Sequence, residues 1–176
     1  MGFVSKYRNK YQTGGLQHLL PTQIRAEVGE GVFETYFKFT FVRNPWDRAV
    51  SQFMLTRRRE DLRDYIGMAP GDSFKRYLEL IARREHVQWT PQHRFVFDER
   101  GRLLVDFVGR FECLQADAGR VFSRIGVSGN LPHAHATERS AVEEYYDREA
   151  AEMVGALYAQ DIDVFGYSGY APVIGA

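Results

Sequence analysis

One cysteine, Cys113, is the only thiol in the 176 residues. A single thiol excludes an internal disulfide and a thiolate-held metal cluster, and it is compatible with a reducing compartment. Net charge is missing too: 23 Lys and Arg balance 23 Asp and Glu. The overall basic excess of a general nucleic-acid binder is therefore absent, although a balanced sum still leaves room for a local anion site. No run approaches the roughly 18 apolar residues of a membrane-spanning helix. The first residues, Met1 to Tyr7, carry no apolar signal core. The resulting expectation is a soluble, cytoplasmic protein with no membrane segment and no nucleic-acid partner. His86, His93, His133 and His135 fall in no zinc-ligand spacing, so no metal is expected. No G-x-x-x-x-G-K-[ST] stretch is present, which argues against a P-loop kinase-like transferase.

What is present is ordinary globular material: 44% hydrophobic and 26% charged residues. Residues 36–42, Tyr-Phe-Lys-Phe-Thr-Phe-Val, are aromatic and β-branched and read as an interior strand of a largely parallel sheet. Asn44 suits a helix N-cap and Pro45 a first helical position, so a helix is expected over about 46–59. Apolar spacing predicts further helices over 21–28, 73–84, 114–125 and 141–159. Gly29 and Gly31 should end the first of these. Residues 95–97 and 103–107 read as two strands of a hairpin around Asp98-Glu99-Arg100-Gly101-Arg102. Strands interleaved with helices give one α/β domain over residues 1–176.

The chemically informative segment is Val42-Arg43-Asn44-Pro45-Trp46-Asp47-Arg48-Ala49-Val50-Ser51. A buried strand delivers Arg43 to its carboxyl end, where ligands collect in open α/β sheets. A helix N-terminus follows at once, with its free amides and positive dipole end. Arg43 offers a planar donor fork suited to phosphate, and Ser51 a hydroxyl nearly two turns on. From geometry alone an oxyanion pocket stands beside a second reading, an Arg43–Asp47 ion pair with Ser51 an ordinary helical serine.

This segment resembles the 3′-phosphate-binding motif of sulfotransferases that use 3′-phosphoadenosine 5′-phosphosulfate (PAPS). It is most similar to the carbohydrate group that includes the 2-O-sulfotransferases. Trp89-Thr90-Pro91-Gln92, Asp106-Phe107-Val108-Gly109-Arg110-Phe111-Glu112 with Asp117, Leu131-Pro132-His133, Tyr145-Tyr146-Asp147, and Asp161 with Phe165-Gly166-Tyr167 resemble later landmarks of that group. The resemblance runs from about His18 to Tyr167. It implies a P-loop-NTPase-like sulfotransferase fold, a parallel sheet flanked by helices, and transfer of a sulfuryl group from PAPS to a hydroxyl of a carbohydrate-type acceptor. It implies that Arg43 and Ser51 bind the donor's 3′-phosphate, with Arg48 as support and Arg139 in a loop that approaches the nucleotide. His18, in Leu16-Gln17-His18-Leu19-Leu20, matches the histidine proposed as base in that group. An imidazole nitrogen is a chemically suitable proton acceptor for such a step.

One departure bears on activity. The family places a strand, a Pro-Lys-Thr-Gly-Gly-Thr-Ser-like loop and a helix before this region, and the loop binds the 5′-phosphosulfate. Thr13-Gly14-Gly15 echoes the loop in letters, but Gln12 stands where the lysine belongs and no apolar strand comes before it. The expectation is an N-terminally truncated fold, or one whose loop has been lost. A non-catalytic nucleotide-binding remnant is therefore the alternative to an active enzyme.

Overall fold

The computed structural model describes residues 18–132 and 140–173. They group into two compact units, Met1–Val42 with Gln92–Asn130, and Arg43–Pro91 with Leu131–Ala176.

The first unit is built on a small parallel sheet. Helix α1 (Pro21–Val28) starts on a proline, and Gln23 Oε1 accepts the Leu20 amide at 2.8 Å. Gly29 ends it at φ +85°, as expected. Gly31 does not break the chain further: it sits inside a second short helix, α2 (Glu30–Thr35). Arg25 joins the two helices, pairing with Glu34 at 2.9 Å and lying over the Phe33 ring at 4.7 Å.

Strand β1 (Phe39–Val42) pairs in parallel with β2 (Phe107–Arg110), in the register Phe39 to Phe107 and Val42 to Arg110. The sheet is parallel, as expected, but among the described residues it has only two strands, so β1 is an edge strand and not an interior one: Phe39 is exposed and only Val42 is buried. The strand begins at Phe39 instead of Tyr36. The hairpin expectation needs correction. Phe97 and Leu103 form one isolated antiparallel bridge, Phe95 closes a 3-10 turn, and Phe107 pairs with β1 instead. The cause is local. Asp98 Oδ1 takes the amides of Arg100 and Arg102 at 3.0 and 2.8 Å, which tightens the turn. Asp106 turns to Lys38, whose amide donates to its Oδ2 at 2.7 Å and whose carbonyl takes the Asp106 amide at 2.7 Å. Gly109 leaves the room that this crossing needs, since a Cβ there would meet Phe41 Cε1 at 2.6 Å. The first unit is completed by a later helix over Leu114–Ile125. That helix runs over the expected span and ends at Gly126 with φ +72°.

The second unit is helical. Helix α3 (Pro45–Arg58) is capped by Asn44, whose Oδ1 accepts the Trp46 amide at 2.9 Å. Helices α4 (Glu60–Ile66) and α5 (Phe74–Ile81) follow, the second capped by Ser73. With the Leu114–Ile125 helix numbered α6, the last two are α7 (Arg148–Leu157) and α8 (Ala159–Val164). The single helix expected over 141–159 is in fact a 3-10 turn (Val142–Tyr145), an extended Tyr146, and α7, which stops at Tyr158. Asp147 starts α7 by accepting the Ala150 amide at 2.7 Å, while Tyr146 is held away by its hydroxyl, which donates to the Trp46 carbonyl at 2.9 Å. The core gathers Val50, Phe53, Phe74, Tyr77, Leu78 and Val154, all buried. Phe74 meets the Phe53 and Tyr146 rings at 5.4 and 5.0 Å. Among the described residues no helix is long and apolar enough to cross a membrane.

Candidate functional site

The start of α3 fixes three polar side chains in order. Asn44 and Pro45 set the first turn, and Asn44 Nδ2 also donates to the Tyr170 carbonyl at 3.2 Å. Trp46, Ala49, Val50 and Phe53 bury one face. Asp47 and Ser51, four residues apart, therefore share a neighbouring face, about 6 Å apart along the axis. Arg43, just before the helix, donates from Nε to Asp47 Oδ2 at 2.5 Å. Their side chains are 19% and 20% exposed, so the pair is half-buried and less screened than a surface pair. Arg43, Asp47 and Ser51 thus lie in order along α3. The Arg43–Asp47 ion pair of the second reading is present, and it lies in the segment expected to receive an anion.

Arg48 follows a different course. Its Nη2 donates to the carbonyls of Gln88 and Thr90 at 3.0 and 2.9 Å, and its guanidinium lies over the Tyr158 ring at 5.6 Å. Nη1 is buried with no hydrogen-bond partner. Burial pushes the guanidinium below its ordinary pKa, against the raising influence of Tyr158 and the fully buried Asp161. Burial likewise pushes the Tyr158 phenol up to about 12. Gln52, one turn beyond Arg48, also donates to the Gln88 carbonyl, and Tyr158 donates to the Trp89 carbonyl at 3.2 Å. Three side chains thus fasten the turn at residues 88–90. Sequence reading singled out Trp89 and Thr90 but not Gln52 and Tyr158, which hold the Gln88 and Trp89 carbonyls. The one available signal was the i, i+4 spacing of Arg48 and Gln52, which puts two long donors on one side of α3.

His18 belongs to the first unit. It is exposed and adopts φ +62°, the left-handed region that a residue with a Cβ rarely enters. Leu19 beside it is buried. It helps line an apolar cavity of about 550 Å³ with Ile24, Phe33, Phe39 and Leu104. Arg139 lies outside the described residues, as do Gln12, Thr13, Gly14 and Gly15. Among the described residues no group of three or more His, Cys, Asp or Glu side chains is placed to hold a metal ion.

The start of this 14-residue helix thus carries a guanidinium held by a carboxylate, with a serine one turn beyond that carboxylate. A model of a family described as the sulfotransferase family matches residues 4–168. An uncharacterized protein of Archaeoglobus fulgidus is 28% identical over 111 residues, covering 61% of this chain and 82% of that protein. No solved structure matches. With nearly its whole length matched by one family model, the chain belongs to the sulfotransferase family.

Proposed function

We propose that residues 1–176 form one sulfotransferase domain, of the carbohydrate 2-O-sulfotransferase-like group, that uses PAPS to sulfate a hydroxyl of a carbohydrate-type acceptor. Family membership supports sulfuryl transfer to a hydroxyl-bearing acceptor. The single observation that carries the finer reading is the order Arg43, Asp47, Ser51 along α3, with Arg43 anchored at 2.5 Å.

When bound, the donor supplies the sulfuryl group and departs as adenosine 3′,5′-bisphosphate. Arg43 and Ser51 hold its 3′-phosphate, through charge-assisted and hydroxyl hydrogen bonds. Arg48 acts from behind: it fastens the turn at 88–90 and keeps a buried positive charge on α3. Arg139 adds a cation to the nucleotide site. His18 Nδ1 or Nε2 takes the proton of the acceptor hydroxyl as the oxygen attacks. The chain's contribution is positioning and charge stabilisation, as in phosphoryl transfer.

A second reading has its own support. No lysine precedes Thr13-Gly14-Gly15 at the place of the family's phosphosulfate-loop lysine, where Gln12 stands, and loss of one such donor costs about 100-fold or more in other enzymes. A non-catalytic nucleotide-binding protein would keep the α3 site without turnover. Labelled PAPS with a glycan panel separates the two. The enzyme reading expects transfer that falls at least about 100-fold in H18A, whereas tight bisphosphate binding with no transfer to any acceptor favours the second. Activity unchanged in H18A removes His18 as base, and activity unchanged in R43A removes the phosphate site.

A further inference from the structure

The α3 site carries a conflict of charge. Asp47 stands between Arg43 and Ser51 along the helix, and a carboxylate beside an anion's seat costs like-charge repulsion. Its place suggests why it is tolerated. Oδ2 takes Arg43 Nε at 2.5 Å, and both side chains are only about one-fifth exposed. A guanidinium is a rigid planar fork. Holding Nε fixes its plane and so sets the direction of the two Nη groups, the edge that grips a phosphate in bidentate fashion. The carboxylate is itself well held, since Asp47 lies in the first turn of a helix whose cap and proline fix the backbone.

Resting on the reading of Arg43 and Ser51 as the seat of a 3′-phosphate, we infer that Asp47 is a positioning residue. It orients the Arg43 guanidinium toward the phosphate, and that same contact offsets its own repulsion. The site then selects a planar-gripped phosphate ester by geometry as well as by charge.

Adenosine 3′,5′-bisphosphate is titrated calorimetrically into the unaltered chain, D47A, D47N, R43A and R43A/D47A, with circular dichroism to check folding. D47A is expected to weaken binding about tenfold, the worth of one well-aimed charged hydrogen bond, although it removes a negative charge. D47N keeps an acceptor oxygen and should recover to within about threefold of the unaltered chain. In the R43A background the sign reverses. With nothing left to orient, removing Asp47 leaves binding equal or tighter. D47A binding tighter than the unaltered chain overturns the inference. So does D47N as weak as D47A, or an equal loss from D47A in both backgrounds, which is what a merely structural role gives. D47S, too short to reach the guanidinium, replaces D47A if that variant unfolds. R43A binding as well as the unaltered chain is a different failure: it removes the phosphate seat and with it the premise.

Discussion

The two units fasten their loops with opposite chemistry. In the helical unit, side-chain donors reach across the sequence to backbone carbonyls: Arg48 and Gln52 to Gln88, Tyr158 to Trp89, Tyr146 to Trp46. In the sheet unit, carboxylates take backbone amides: Asp106 from Lys38, Asp117 from Arg110, Asp98 from Arg100 and Arg102. Arginine, amide and phenol donors keep their protons through the acid range, whereas carboxylates do not. The difference teaches that one chain can hold the 88–90 turn of a helical unit with donors that ignore acid and a sheet with carboxylates that must be ionised, although the exposed Lys75–Glu149 pair at 2.5 Å also joins α5 to α7 in the helical unit.

The largest expected effect tests the donor side. Arg48→Ala removes two hydrogen bonds and leaves Asp161 buried beside a lost charge, so it should cost roughly 3 kcal/mol in denaturant unfolding. A loss under about 0.5 kcal/mol would show that Arg48 is no fastener. Next, Gly109→Ala drives a methyl into Phe41 between β1 and β2 and should cost about 2 kcal/mol, with faster amide exchange along both strands. A neutral result would mean the Phe41 ring yields freely. Tyr146→Phe removes one buried hydroxyl bond to Trp46, with an expected loss of about 1 kcal/mol.

The smallest effect is the one that sharpens the contrast. The Lys38 amide, and then its ammonium at 3.0 Å, hold the Asp106 carboxyl below its usual range. A folded value below the unfolded one makes the unfolded state bind protons more readily. The contribution is therefore complete above the ordinary carboxylate pKa of about 3.9 and is lost as pH falls through the lower folded value. Asp98, held down by the Arg102 amide, acts in the same sense. Both groups are open enough to solvent for the effect to be small. Amide exchange at Lys38 and Arg102 should quicken near pH 3 before exchange in α3 does, and D106A should flatten the acid limb of the stability curve. Simultaneous loosening of both units would erase the comparison.

Local signals carried much of this fold in the sequence. Asn44 and Pro45 announce α3 because a cap and an N1 proline act within one turn, and Gly126 marks the end of α6 for a similar reason. Apolar spacing gave α1, α5 and α6 because those helices bury one face. What stayed hidden depends on distant partners. Phe107 looked like a hairpin strand, yet its parallel partner lies 68 residues earlier at Phe39. Tyr146 looked helical until its hydroxyl found the Trp46 carbonyl, 100 residues away. At the candidate site, the i, i+4 reach from Arg43 to Asp47 was legible, whereas the turn at 88–90 that Arg48 holds lies 40 or more residues on and leaves no local mark.

The central claim is that α3 seats a ribose 3′-phosphate, and one comparison of affinities tests it most directly. Adenosine 3′,5′-bisphosphate and adenosine 5′-monophosphate are titrated into the unaltered chain under identical salt. The 3′-phosphate should tighten binding at least about tenfold, the yield of one or two charge-assisted hydrogen bonds, and Arg43→Ala should abolish the difference. Equal affinity for the two nucleotides would contradict the claim.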